Sequence, residues 1–331
     1  MKPFSTRTQR GFTGFNQVKP MPNLIDWHAH HTPPELVEEF AECTGRVPRV
    51  DSYDSPDFSK RIKEMDGAGV EVQLICQSAA MDADQLPADK AMEMVRKSND
   101  ILAEKIAAYP GRLMGVIGIS LKNIEGSVDE IQRMVGRGFR AVLIYPRVDG
   151  EMVVDCPETD PVFAKIAELG LPIFLHGVAY SKDSTLQRLE DGGAGVAYSA
   201  LADANISECV VRMIASGLFD RYPEMHVVIR SGGGGLPLLL NKLFWKHRGP
   251  RGEQRYSEIL LEHFLVDTAG VNARTLQFLI DTLGQERIVF GSDYCGGLGP
   301  LQKALPVIEL QSDPAHVKSL TERNSRRLLR L

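Results

Sequence analysis

The sequence predicts an α/β fold in which eight parallel strands close into a (β/α)8 barrel. Short apolar runs rich in Val, Ile and Leu recur eight times along the 331 residues, and segments with helical spacing lie between them. Strands that alternate with helices favour a parallel sheet, and eight such units favour a closed barrel. No linker or internal repeat divides the chain, so we predict one domain over residues 21–331, preceded by a tail over residues 1–20.

The predicted strands follow the apolar runs in chain order. They cover residues 24–27, 70–76, 113–119, 141–145, 172–176, 226–231, 264–267 and 287–292. The clearest helix covers residues 88–109, and a Pro-Gly pair ends it. Two long segments, 32–58 and 177–200, follow the first and fifth strands. In a barrel such segments lie on the face where active sites form.

Composition excludes several classes of partner and compartment. The formal net charge is −5 and there is no basic stripe, which argues against binding to nucleic acid. No apolar run is long enough to span a membrane, and the first 20 residues lack the apolar core of a secretory signal. The five cysteines are odd in number and scattered, so we expect no disulfide framework and a cytoplasmic location.

Two histidines mark the end of the first predicted strand. His28 and His30 are two residues apart, and alternate residues of a strand face the same way, so both rings can hold one ion. Neutral imidazole is a common ligand of zinc and similar metals. Taken alone, the pair is equally compatible with two surface histidines at a strand end.

A third histidine and an aspartate follow other strands. His176 ends a strongly apolar strand, and Asp293 follows the last one. By themselves they fit a hydrogen-bonded core histidine and a helix N-cap. Together with His28 and His30 they would meet at one rim of the barrel and leave coordination positions open, as a catalytic metal requires. In such a site Asp293 can both bind the metal and move a proton.

The chain resembles the amidohydrolase-related enzymes similar to aminocarboxymuconate-semialdehyde decarboxylase and γ-resorcylate decarboxylase. The matching stretches are DWHAHHTPPE (26–35), GVEVQLIC (69–76), DPVFAKIAELGLPIFLHG (160–177), FDRYPEMHVVIRSGGGG (219–235), DTAG (267–270), ERIVFGSDY (286–294) and NSRRLL (324–329). The resemblance implies that His28, His30, His176 and Asp293 hold one divalent metal ion. We expect zinc, with manganese as the alternative. The resemblance also implies a possible homodimer.

One position departs from the family pattern. The resembling enzymes carry a catalytic histidine followed by glycines after the sixth strand, whereas this chain has Arg230 and Ser231 before its glycine run. Serine cannot act as an imidazole acid or base near neutral pH. We predict that Ser231 faces the cavity. Two alternatives then stand for the missing histidine: either Ser231 or Arg230 contacts the substrate, or another loop supplies the missing group. The run Gly232–Gly235 predicts close backbone approach rather than a nucleotide loop.

Further arginines are candidates for substrate contacts. Arg147 follows the fourth strand and can clamp a carboxylate, or it is a solvated loop charge. Arg46 and Arg49 lie in the long first loop, which in the resembling enzymes reaches the active site. A surface role is the simpler expectation for these two. Cys295 has no evident base nearby in sequence, so we expect it to pack.

Three functions fit these features. The first is non-oxidative decarboxylation of a small aromatic or unsaturated carboxylic acid, in which His176 and Asp293 hold the metal and Asp293 protonates the ring carbon. The second is hydrolysis of an amide, ester, lactone or imine by metal-bound hydroxide. The third is ligand binding without turnover. A small-molecule carboxylate is the expected partner in the first case.

Overall fold

The computed structural model describes most of the chain. The described residues are 23–48, 50–52, 54, 57–177, 194–246, 255–309, 311 and 313–331. The predicted tail over residues 1–20, the candidate contact Arg49 and most of the second long segment lie outside the described residues.

Eight parallel strands form the predicted barrel. They are β1 Leu24–His31, β2 Val70–Gln77, β3 Leu113–Ile117, β4 Phe139–Ile144, β5 Ile173–Leu175, β6 Val227–Ile229, β7 Phe264–Asp267 and β8 Ile288–Val289, and each pairs with the next in chain order. The sheet closes between its ends, because the Trp27 amide donates to the Phe290 carbonyl at 2.9 Å and the His30 amide to the Tyr294 carbonyl at 2.8 Å. The (β/α)8 prediction is therefore confirmed.

The helices surround this barrel. The longer ones are α1 Val37–Thr44, α2 Ser59–Ala68, α3 Ala88–Ala108, α4 Ile124–Met134, α5 Asp160–Leu169, α6 Ala194–Ala215, α8 Leu236–Lys246, α9 Tyr256–His263 and α10 Ala273–Leu283. The shorter ones are α7 Leu218–Arg221, α11 Pro306–Glu309, α12 Pro314–Lys318 and α13 Asn324–Leu329, with a π-helical turn at Ser319–Arg323 before α13. In the described part of the chain, no helix is both long and apolar enough to cross a membrane.

The strand and helix ends differ slightly from the predicted ones. Helix α3 ends one residue earlier than predicted, at Ala108, and its apolar face is buried as its spacing indicated. Strand β1 is longer than predicted and includes the candidate ligands His28 and His30. Strand β8 is shorter, only Ile288–Val289, so the residues after it leave the ladder before reaching Asp293.

Alternate residues of the strands fill the inside of the barrel. Ile25 and Trp27 of β1 belong to this inner cluster, together with residues such as Phe174 of β5. The register between β1 and β2 shifts between Asp26 and Ala29. This irregularity lies next to His28, at the point where the apolar filling of the barrel gives way to the polar residues of the rim.

Candidate metal centre and its cavity

The two candidate ligands on β1 point to one place, as predicted. His28 and His30 are buried, and their Nε2 atoms are 3.0 Å apart. Their rings meet edge to face, with centroids 4.9 Å apart. Burial lowers the pKa of His28, but the charges of Asp267 and Asp293 outweigh it and raise that pKa to about 10. The place where the rings meet therefore favours a positive charge.

His176 completes a cluster of three imidazoles. It follows β5, and its ring centroid is 5.2 Å from that of His28 and 5.1 Å from that of His30. One nitrogen from each ring lies within 4.8 Å of the other two. His176 Nδ1 is 2.9 Å from the Gly177 carbonyl, which makes Nδ1 the donor and leaves the Nε2 lone pair free for a ligand role.

Asp293 brings a carboxylate to the same point. Its Oδ1 is 3.1 Å from His30 Nε2 and 3.3 Å from His28 Nε2. It is not a helix N-cap, since no helix begins there and its φ is +56°. Burial raises the pKa of Asp293, but His28 and His30 hold it well below its usual range. Three imidazoles and one ionised carboxylate form a donor set that fits a divalent ion.

Asp267 fixes the orientation of the first ligand. The carboxylate ends β7, is fully buried, and accepts from His28 Nδ1 at 2.7 Å through Oδ2. Its Oδ1 accepts from the Ser231 amide at 2.7 Å and the Ala269 amide at 2.9 Å. A carboxylate behind a ligating histidine sets the tautomer that presents Nε2 to the metal. Sequence reasoning noted Asp267 only as part of a matching stretch, although a carboxylate at the end of a buried strand is itself a signal.

A second buried carboxylate, Asp26, joins the first strand of the barrel to the residues that follow the last one. Asp26 accepts from the His28 amide at 3.1 Å, and from the amide and hydroxyl of Ser292 at 2.9 and 2.6 Å. It also accepts from Gln73 Nε2 at 2.8 Å. Burial raises the pKa of Asp26, and these hydrogen bonds oppose that effect. The strand that carries two ligands is thereby tied to the loop that carries the fourth.

The polar chain continues to the first loop through a buried arginine. Arg61 of α2 donates to Gln73 Oε1 at 2.7 Å, to the His30 carbonyl at 2.6 Å and to Asp54 Oδ1 at 3.0 Å. Asp54 in turn lies 2.9 Å from His31 Nδ1. Sequence reasoning missed both Arg61 and Asp54, because charges in a helix and a loop usually face solvent.

A cavity of about 810 Å³ opens from the metal cluster. His30, His176 and Asp293 lie in its wall. Arg230 and Ser231 also line it, so Ser231 faces the cavity where the family match predicted. The roles of Arg230 and Ser231 stay predictions.

Arg46 is a further residue of the cavity wall. The sequence favoured a surface role for it, whereas the structure places it in the lining, with Nη2 donating to the Ala80 carbonyl at 3.0 Å. This is a correction: the loop after β1 turns back over the barrel, so a residue far beyond the strand end returns to the site. The only sequence signal was the unusual length of that loop.

Arg147 is not one of the described residues that line the cavity. It begins a short hairpin, Arg147–Val148 with Glu151–Met152. Its guanidinium donates to Asn205 Oδ1 at 2.9 Å and to the Gly150 carbonyl at 2.7 Å, and it forms an ion pair with Glu208 of α6. Arg147 therefore links this hairpin to α6, and a clamp on a substrate carboxylate, one of its two predicted roles, stays a prediction.

Cys295 and the glycine run behave as the sequence indicated. Cys295 is buried, and burial raises the pKa of its thiol to about 12, which agrees with a packing role. Gly232, Gly233 and Gly234 have φ values of +69°, +80° and +58°. The backbone therefore turns in a conformation that side chains disfavour, next to the cavity.

Comparisons with known proteins identify the family of the chain. A family model described as amidohydrolase matches residues 25–331. The gamma-resorcylate decarboxylase of Rhizobium sp. (strain MTP-10005) is 30% identical over 251 residues, which cover 71% of this chain and 75% of that protein. The crystal structure of a 2,6-dihydroxybenzoate decarboxylase complexed with 2,6-dihydroxybenzoate has a TM-score of 0.78 at 25% identity, covering 94% of this chain and all of that one.

A second solved structure concerns the metal. A dihydroxybenzoic acid decarboxylase from Polaromonas sp. JS666, with bound manganese and the inhibitor 2-nitroresorcinol, has a TM-score of 0.77 at 23% identity. It covers 94% of this chain and 98% of its own. At that identity the likeness shows the fold alone.

The fold and the site together define a metal-dependent (β/α)8-barrel enzyme. The chain belongs to the amidohydrolase family, as the resemblance predicted. Its similar relatives include decarboxylases, and both the family and the histidine cluster support a divalent metal as the cofactor.

Proposed function

We propose that this enzyme is a metal-dependent, non-oxidative decarboxylase of a small aromatic carboxylic acid. The observation that carries the proposal is the cluster of three imidazoles and Asp293 at the base of a cavity that also holds cationic side chains. The similarity to gamma-resorcylate decarboxylase supports the same reaction class.

His28, His30, His176 and Asp293 are the proposed metal ligands. A divalent ion held there would supply positive charge that binds the substrate carboxylate and an adjacent ring oxygen. The predicted ion is zinc, because imidazole-rich sets with one carboxylate suit it, and manganese is the alternative that the Polaromonas structure brings forward.

Asp293 is the proposed proton carrier. As a ligand of the divalent ion Asp293 would be ionised at rest, so it first accepts a proton, which we assign to the substrate hydroxyl. Its Oδ2 accepts no hydrogen bond from the described residues, and we assign to this atom the delivery of that proton to the ring carbon. The bond from this carbon to the carboxylate then breaks, its electron pair returns to the ring, and carbon dioxide leaves.

Arg46 is the proposed cationic contact for the substrate on the side of the first loop. Among the described residues the guanidinium of Arg46 makes one hydrogen bond, to the Ala80 carbonyl, which leaves most of its donors available. Arg49 stays a predicted substrate contact. Ser231 adds a hydroxyl to the wall but no acid or base that works near neutral pH.

We also propose a cytoplasmic location and a homodimeric state. All five cysteines are free in the structure, which agrees with a reducing compartment. The homodimer is proposed from family similarity alone, and mass measurement in solution tests it.

The test combines metal analysis with a turnover screen. We expect about one divalent ion per chain, and carbon dioxide from at least one hydroxybenzoate. His176→Ala should remove most of this activity and keep the fold, since it deletes a ligand at a strand end. The matched control is His316→Ala, which changes a histidine of α12 outside the cavity. Hydrolysis of simple lactones or amides, with no carbon dioxide from any hydroxybenzoate, would overturn the proposal in favour of a hydrolase.

A further inference from the structure

Helix α6 packs closely against the glycines that follow β5 and β6, beside the metal cluster. A side chain at Gly177 would overlap the Ala202 carbonyl. A Cβ at Gly234 would lie 3.0 Å from the Asp203 carbonyl oxygen and 3.3 Å from the Asp203 Cβ. The glycines after β5 and β6 thus make room for one turn of α6, and this turn carries Asp203 into the cavity wall.

In the wall, Asp203 pairs with the arginine that follows β6. Asp203 Oδ1 is 3.0 Å from Arg230 Nη2. Arg230 Nη1 donates to Ser231 Oγ at 3.3 Å, and its Nε is buried with no partner among the described residues. Arg230 lines the same cavity as His30, His176 and Asp293, so the guanidinium lies near the metal cluster.

The two members of the pair are unequally exposed. The side chain of Asp203 is 40% exposed and that of Arg230 15%. The second oxygen of Asp203, Oδ2, accepts no hydrogen bond from the described residues. A ligand that reaches this part of the wall therefore meets a carboxylate oxygen first, with guanidinium hydrogens beside it.

This arrangement selects ligands by their hydrogen-bonding groups. A ring hydroxyl can donate to Asp203 and accept from Arg230, so it satisfies both. A second carboxylate would be repelled by Asp203 and would have to compete with it for Arg230. A ring without a polar substituent would leave the open carboxylate oxygen desolvated and unpaired, which costs affinity.

We propose that Asp203 and Arg230 form a specificity subsite for a ring hydroxyl of the substrate. The subsite rests on the proposed function in one respect only, namely that the cavity takes an aromatic acid. It distinguishes hydroxylated aromatic acids both from plain benzoates and from aromatic dicarboxylates. Asp203 is a binding residue here, and the reacting carbon is served by Asp293.

The test measures binding and turnover separately on the metal-loaded protein. The probes are benzoate, 3-hydroxybenzoate, 4-hydroxybenzoate, 3,5-dihydroxybenzoate and isophthalate, with dissociation constants from calorimetry. We expect the wild-type protein to bind at least one hydroxylated acid about 10- to 100-fold more tightly than benzoate, the range for a hydrogen bond to a charged group. Asp203→Ala should bring this ratio to within about threefold of one, leave benzoate affinity nearly unchanged, and tighten isophthalate.

A matched control separates the subsite from general effects of losing an ion pair. Asp160 forms a similar pair with Arg221 at 2.9 Å, has a 36% exposed side chain and lies outside the cavity lining. Asp160→Asn should leave every ratio unchanged. An unchanged hydroxyl preference in Asp203→Ala overturns the subsite, and so does an equal loss of all five probes, which would indicate a structural role.

The same data distinguish the two proposals. If the hydroxyl preference depends on Asp203 but no acid releases carbon dioxide, the decarboxylase proposal fails and the subsite stands. If carbon dioxide is released and the preference does not depend on Asp203, the subsite fails and the decarboxylase stands.

Discussion

Replacing Asp267 by asparagine tests how the protein presents His28 to a metal. The aspartate uses one oxygen for His28 Nδ1 and the other for the backbone amides of Ser231 and Ala269. Asparagine keeps the shape but has a single accepting oxygen. If that oxygen stays with the two amides, the new NH₂ group donates to His28 Nδ1. The ring must then carry its proton on Nε2, the atom that faces the other ligands.

The structure also indicates which orientation the asparagine adopts. With its oxygen turned toward His28, the NH₂ group would face two buried amide donors, each costing about 1–3 kcal/mol when unpaired. The orientation in which the oxygen faces the two amides and the NH₂ group faces His28 is therefore favoured, and the loss appears as weaker metal binding. Loss of such an outer carboxylate typically weakens metal binding by about 10- to 100-fold. At about 1.4 kcal/mol for each factor of ten, this is about 1.4–2.8 kcal/mol.

The measurement is metal affinity by chelator competition, after removal and return of zinc or manganese. We expect Asp267→Asn to lose about 10- to 100-fold in affinity, with a far-ultraviolet circular dichroism spectrum like that of the wild type. Asp160→Asn, which removes a surface carboxylate from an ion pair, should bind metal normally. Wild-type affinity in Asp267→Asn would refute the tautomer argument, and an unfolded variant would show that Asp267 serves the barrel rather than the metal.

Three further predictions follow from close contacts and buried charges. Gly296→Ala should lower metal content at least about tenfold with little loss of stability, because the new Cβ overlaps Asp293 Oδ1, whereas Gly136→Ala, which has open space, should bind metal normally. Arg61→Met should lower the unfolding free energy in urea by about 3–5 kcal/mol, since it leaves its buried partners unpaired, and a loss under about 1 kcal/mol would contradict the buried network. Burial raises the pKa of Asp84 to about 6, so the native state binds more protons between about pH 4 and 6 and its unfolding free energy falls there as pH rises. This fall should be on the order of 3 kcal/mol, two pKa units at about 1.4 kcal/mol each, and should vanish in Asp84→Asn; an equal slope in both proteins would contradict it.

The strands and the first metal ligands were predictable because they depend on local pattern. Strand alternation alone places His28 and His30 on one side, and parallel strands bring His176 and the residues after β8 to the same rim. These relations need only the order of elements, which the apolar runs reveal. The same reasoning fails for a side chain whose neighbour is set by the path of a loop.

Arg46, Arg147 and Asp203 illustrate that limit. Arg46 lies in the cavity wall because of the path of the loop after β1. Arg147 lies outside the described cavity wall and forms an ion pair with Glu208 of α6. Asp203 lies in an ordinary helical segment, and its place in the wall depends on two glycines, Gly177 and Gly234, that are distant in sequence. None of these positions follows from periodicity, because each depends on how closely two backbones approach.

The closure of the barrel explains why buried carboxylates lie next to the metal ligands. Strand β8 has only two residues in the ladder, and beyond it the backbone is held to β1 by the hydrogen bonds from the Trp27 amide to the Phe290 carbonyl and from the His30 amide to the Tyr294 carbonyl. Asp26 reinforces this closure, because it accepts both the amide and the hydroxyl of Ser292 from the far side of the seam, while also accepting the His28 amide. One carboxylate therefore adds to the backbone bonds that hold the strand with two ligands against the loop with the fourth. A hydrophobic residue at this position would fill the same space but would deprive four donors of their acceptor, so the seam and the metal geometry would be disturbed together.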